Sequence, residues 1–235
     1  MDEPTTVPPT TDPLVALREE CTEVSEIGRR LDDPDFARPT RCPLWNLKEL
    51  LGHLYRDVDR INHALENPPP PRATHDSITY FRSYDPTPGG PDAIGVAERS
   101  KEIAARYATG RDLMDAWDEL WPGTLDRAAT ADPSRLVVTF GPALTFDEYL
   151  KTRVLEVTVH RMDVEDALGV RGWGTDSAVS IVDDILVGLL GTEPPRSLDW
   201  DVVDFIETGT GRRELTDDER TKLGVRLAKR FPLFR

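Results

Sequence analysis

Cysteine, histidine and positive charge are all scarce in this chain of 235 residues. Two cysteines cannot make a disulfide framework. Cys21 falls inside a helical pattern and Cys42 in a loop before another, and nothing in the pattern demands a bridge between them. A reduced, cytoplasmic setting is expected. Lys plus Arg number 29 against 43 Asp plus Glu, a net charge of −14. That balance argues against a nucleic-acid partner, because neutralising phosphates needs a basic face. No apolar run approaches the roughly 20 residues that span a bilayer. The longest, Ile181 to Leu190, is broken by Asp183 and Asp184. Residues 1–12 are polar, acidic and rich in proline and threonine, unlike a signal or transit peptide, and are expected to be disordered. Neither a nucleic acid nor a membrane is an expected partner.

What the chain does have is helical periodicity. A first helix is expected from Asp12-Pro13, with Asp as cap and Pro in the first turn, carrying Leu14, Leu17, Val24 and Ile27 to about Leu31. Asn46, with Glu49 three residues on, opens a second helix with a broad apolar face from Leu47 to Leu65. Pro68 to Pro71 stop it, and residues 68–92 read as a long loop. A third helix is expected over about 92–120, with Gly110 as a point of division. A short β-like run, Leu136 to Phe140, precedes a fourth helix, which Thr145 caps with Glu148 completing a capping box, and which Gly169 ends. A fifth spans about Thr175 to Leu190. After it come a strand-like segment, Trp200 to Ile206, a turn and a last helix from Thr216. The count argues for a mostly α bundle over residues 13–195, with 196–235 as an extension packed on it. An apolar helix face serves equally as core or as a homodimer seam.

Four histidines in the whole chain make their positions informative. Glu156 and His160 are four residues apart on the fourth helix, so their side chains share one face. Such a pair offers an oxygen and a nitrogen to one cation, and His53 on the second helix is the candidate third ligand. Two His and one Glu with an open position suit catalytic zinc, and two His with a carboxylate also suit non-haem iron. A Glu–His pair at this spacing is more often a plain surface pair. Against that stand the apolar surroundings, ELLGHLY and RVLEVTVHRM, where buried polar groups need partners. His63, near the solvent end of its helix, and His75, in the proline-rich loop, are not expected to be ligands.

Three segments carry a resemblance. TRCPLWNLKELLGHL (40–54), TFDEYLKTRVLEVTVHRMDVEDALG (145–169) and the tail from DFIETGTGRRELTDDERTKLG to FPLF (204–234) look like the DinB-like, mycothiol-dependent maleylpyruvate isomerase family. The resemblance implies a DinB-like four-helix bundle with a short β-like segment and a small C-terminal extension. It implies a divalent metal, usually zinc, held by His53, Glu156 and His160, and mycothiol as the low-molecular-weight thiol cosubstrate. A thiol at the metal's open position loses its proton at neutral pH and becomes the nucleophile. No protein cysteine is required, and Cys42 is expected to be structural or incidental.

Around the ligands, Asp163 is expected to orient His160 or meet the cofactor, or else to make an ordinary helix salt bridge. Arg153 is expected to hold cofactor oxygens or to pair with Glu156 or Glu148. Trp45 is expected to pack at its helix start, with pocket lining as the second reading. Tyr80, Phe81 and Tyr84 of the 68–92 loop are candidates to cover the pocket. Family isomerases carry a sizeable second domain after the bundle, whereas this sequence runs only from 195 to 235 beyond it. The expected activity is therefore a thiol S-transferase acting on an electrophilic small molecule. An isomerase, a non-catalytic thiol-binding protein and a hydrolase using metal-bound water are the alternatives.

Overall fold

The computed structural model describes residues 11–83, 91–138 and 141–234. Most of the 1–12 segment, Tyr84 and the Phe140 end of the β-like run fall outside them.

The helices begin where side chains can cap them. In α1 (Pro13–Arg30) the Asp12 carboxylate accepts from the Leu14 amide at 2.8 Å. In α2 (Leu47–Glu66) Asn46 and Glu49 exchange side-chain and backbone bonds, both 2.9 Å. A short helix, α3 (Ser77–Ser83), lies within the expected loop and buries Tyr80 and Phe81. The single helix expected over 92–120 is two, α4 (Pro91–Ala105) and α5 (Gly110–Ala129). The break falls at Thr109, whose hydroxyl and the Asp112 carboxylate form a capping box that starts α5 afresh. α5 runs past Leu120 because Pro122 is tolerated inside it.

β1 (Leu136–Val138) and β2 (Ala143–Thr145) form an antiparallel pair, with Leu136 opposite Thr145. α6 (Phe146–Ala167) starts on Thr145, which accepts from the Glu148 amide at 3.3 Å. The reciprocal half of the expected box is missing. The Glu148 carboxylate instead takes the Ser77 amide at 2.7 Å and the Lys151 ammonium at 2.6 Å, tying α3 to α6. Gly169, at φ 77°, closes α6 in the left-handed conformation that glycine adopts without strain.

α7 (Asp176–Leu190) follows Thr175 as cap. The segment Trp200 to Ile206, expected as strand, instead enters α8 (Val202–Gly209), because Asp201 and Asp204 build a capping box at its start. α9 (Asp217–Ala228) begins on Thr216 and Glu219 in the same way. The expected last helix is thus present.

Helices α1, α5, α2 and α6 pack in a closed ring, each against the next, as a four-helix bundle. α4 lies on α2, while α7 covers α1 and α6. α6 is buried on most of its circumference, from Phe146 to Val164, which makes it the innermost helix. That burial forces its charged groups to find partners. Arg161 reaches Glu20 of α1 at 2.7 Å, and the Thr175 amide completes the Glu20 carboxylate at 2.7 Å. Phe205, Ile206 and Phe234 join the main core, so the C-terminal segment is seated on the bundle. Among the described residues, no helix is long and apolar enough to cross a membrane.

Candidate metal centre

The seam between α2 and α6 brings the three sequence-predicted ligands together. Nε2 of His53 and Nε2 of His160 each stand 3.6 Å from Oε2 of Glu156. The imidazole rings meet edge to face with centroids 4.7 Å apart. The histidine side chains are 5% and 10% exposed and Glu156 is 22% exposed, so solvent reaches the donor set over the carboxylate.

The other ring nitrogens are occupied. The Ser100 hydroxyl of α4 donates to the Val96 carbonyl at 2.9 Å, leaving its lone pairs to accept from Nδ1 of His53 at 3.3 Å. Nδ1 of His160 donates to Oδ2 of Asp163 at 2.9 Å. Both contacts occupy Nδ1 and turn Nε2 toward Glu156. Nε2 of His53 is buried and has no hydrogen-bond partner.

These atoms fit a divalent cation. At 3.6 Å the donors are too far apart to hydrogen-bond. They are close to the edge of about 3.3 Å expected for donors sharing a tetrahedral ion with bonds of about 2.0 Å. Two neutral imidazoles and one carboxylate form a borderline donor set of the kind zinc or iron takes. A second group, Cys42, His160 and Asp163, is also close enough to hold an ion. There, however, guanidinium groups already neutralise the carboxylate. Arg41 reaches Asp163 at 2.6 Å and Arg212 at 2.9 Å.

Asp163 thus backs the His160 ring while it is also ion-paired to Arg41 and Arg212. Burial works against its ionisation, but Arg212 and His160 outweigh that and hold the carboxyl well below its usual range. Burial likewise opposes charge on Glu156, and the His160 and His53 rings beside it, with the Arg153 charge, outweigh that and lower its pKa. Trp45 stacks on His53 with centroids 4.7 Å apart and meets the His160 ring edge-on at 5.7 Å. It walls the donor set instead of merely packing at its helix start. The loop that carries it is pinned by Thr40, whose hydroxyl bonds the carbonyls of Cys42 and Trp45.

Arg153 is directed elsewhere than either pairing expected for it. Its guanidinium lies 2.9 Å from Asp57 of α2, with the two side chains 3% and 4% exposed, and stacks over the Tyr149 ring. His63 is two-thirds exposed and paired with Asp59, and His75 bonds Thr74, both away from the site.

Several partners were not singled out from the sequence. Asp57 lies four residues beyond His53, with Oδ2 3.8 Å from the His53 Nε2. The same spacing rule that paired Glu156 with His160 marks it. Ser100 and Arg41 have no local signal, because they arrive through packing. Cys42, expected to be structural or incidental, has its thiol 3.2 Å from Asp163.

Fold and site together define a DinB-like helical bundle with a buried two-histidine, one-carboxylate donor set. The family model described as the mycothiol maleylpyruvate isomerase N-terminal domain matches residues 17–165, more than half of the chain. The chain belongs to this family. It is also similar to two uncharacterized proteins of Mycobacterium tuberculosis, one from strain CDC 1551 and one from strain H37Rv. Each is 29% identical over 160 residues, which cover 67% of this chain and 57% of the relative. The match thus spans little more than half of those relatives. No solved structure matches the chain.

Proposed function

We propose that the protein is a metal-dependent thiol S-transferase that joins mycothiol to an electrophilic small molecule, with His53, Glu156 and His160 as the metal ligands. The observation that carries this reading is the convergence of two Nε2 atoms on one carboxylate oxygen while both Nδ1 atoms are engaged elsewhere. A divalent metal there, zinc foremost, lowers the pKa of a thiol in its open position so that sulfur is nucleophilic at neutral pH.

The chain's own residues prepare that position. Ser100 and Asp163 fix the imidazole tautomers, and Glu156 supplies the negative charge that makes the site attractive to a cation. Trp45 excludes water from one side of both rings. In the transfer, the thiol S–H bond breaks and its proton passes to solvent, the sulfur lone pair forms the new bond to the electrophilic carbon, and the leaving group on that carbon departs with its bonding pair, as chloride does from chlorodinitrobenzene. Arg153, Asp163 and Trp45 are the groups assigned to the thiol cosubstrate, with Arg153 limited by its pairing to Asp57 and Asp163 by its pairing to Arg41 and Arg212.

The test is turnover of mycothiol with a generic electrophile such as a bimane or chlorodinitrobenzene, followed by product mass. An S-conjugate formed by the native protein and lost in His160→Ala supports the transferase. Saturable thiol binding without any conjugate supports a non-catalytic binding protein. Geometric isomerisation of maleylpyruvate with thiol regenerated supports the isomerase.

A further inference from the structure

The two helices that carry the donor set frame a second feature further along the same seam. On α2, Asp57 and Arg60 follow His53 at helical spacing, and on α6, Arg153 and Tyr149 precede Glu156 likewise. Seven residues of helix separate His53 from Arg60, about 10 Å. Beyond the Asp57–Arg153 ion pair lies a cavity of about 520 Å3, within the roughly 300–1,000 Å3 of small-molecule sites.

The charge of this cavity runs against that of the protein. Its wall carries Arg56, Arg60 and Arg106 against one carboxylate, Asp59, in a chain of net charge −14. Arg56 and Arg60 each already engage a neighbouring group, so the wall is set before a ligand arrives. The Arg56 pKa is lowered, first by burial and then by the Arg60 charge, with Arg99 and Arg153 adding to the effect and Asp57 opposing it. Like charges crowded into a partly desolvated wall gain from an anion among them. Ile103 and Val138 supply an apolar part of the lining. Tyr149 lines the same cavity, fully buried, with the Arg60 guanidinium acting on its hydroxyl.

We infer that this cavity binds a small organic anion, a carboxylate carried on an apolar body. The arginine fork matches a carboxylate in two-point contact, and the apolar lining takes the remainder. The site is separate from the three proposed metal ligands, none of which lines it.

Titration of the full chain with benzoate at low salt, followed by NMR or calorimetry, tests this without any metal. Saturable binding is expected, with benzyl alcohol, similar in shape and uncharged, failing to bind. The Arg60→Gln, Arg106→Gln double variant is expected to weaken benzoate at least 10-fold. Arg106 is exposed, so Arg106→Gln alone, expected to weaken binding about 3-fold, keeps the test available if the double variant unfolds. Absence of saturation, or equal affinity in variant and native chains, overturns the inference. Inorganic phosphate binding as tightly as benzoate overturns the organic part of it. The outcome is separate from the fate of the metal proposal, since the titration needs no metal.

Discussion

Asp163 holds Nδ1 of His160 at 2.9 Å, while Nε2 of the same ring faces Glu156 at 3.6 Å. The ring is thus clamped from behind and aimed forward. Partners of this kind set both the tautomer and the direction of a ligating imidazole. Asp163→Asn is therefore expected to weaken zinc affinity about 10- to 100-fold, measured by competition with a chromophoric chelator. An unchanged affinity would show that the clamp is purely structural.

The buried pair of Arg153 and Asp57 makes a different kind of prediction. Its side chains are 3% and 4% exposed and 2.9 Å apart. Removing one partner strands the other charge away from water. Asp57→Asn or Arg153→Met alone is expected to cost about 3–5 kcal/mol. The double variant should cost less than the sum of the two, since it strands nothing. Urea denaturation of the four proteins provides the cycle.

Gly52 of α2 packs directly against the backbone of α4. A Cβ there would lie 2.8 Å from the Ser100 carbonyl oxygen, which is backbone and cannot simply rotate away. Gly52→Ala is expected to destabilise by about 1–3 kcal/mol. It should also loosen zinc binding, because the shift moves Ser100 away from His53. Thermal melting and the chelator assay read the two effects separately.

The C-terminal segment supplies the pH dependence. Glu219 caps α9 and accepts from Arg213 at 2.9 Å and from Trp200 at 2.6 Å. Burial works against its charge, but hydrogen bonds from the Thr216 amide, Trp200 and Arg213 prevail and lower its pKa to about 2 from an ordinary 4.5. A carboxyl depressed in the folded state stabilises above the ordinary value, and that contribution is lost as pH falls toward the folded one. Packing of residues 196–235 is therefore expected to loosen between about pH 4.5 and 2, read by Trp200 fluorescence. In Glu219→Gln this portion of the acid transition should vanish.

How far the sequence revealed all this depended on whether the signal was local. Asp12, Asn46, Thr175 and Thr216 mark helix starts in the sequence and cap helices in the structure. The run from Trp200 to Ile206 reads as strand because it is rich in Val and Phe, yet the Asp201–Asp204 cap turns it into α8. Weighing caps ahead of β-propensity would have found it. The donor set followed the same divide. The Glu156–His160 pair was written in a four-residue spacing, and His53 stood out by rarity. Ser100, Arg41 and Arg212 support the site from three other segments. No spacing along the chain encodes how α4, the loop before α2 and the turn after α8 pack around α6.

His53, Glu156 and His160 are the proposed ligands of one divalent metal. Elemental analysis of the native chain and His160→Ala, each purified without chelators and reconstituted with zinc under the same conditions, tests this assignment most directly. About one ion per native chain is expected, with a large loss in the variant and helical content unchanged by circular dichroism. A native chain that retains no metal, or a variant that retains as much as the native chain, would contradict it.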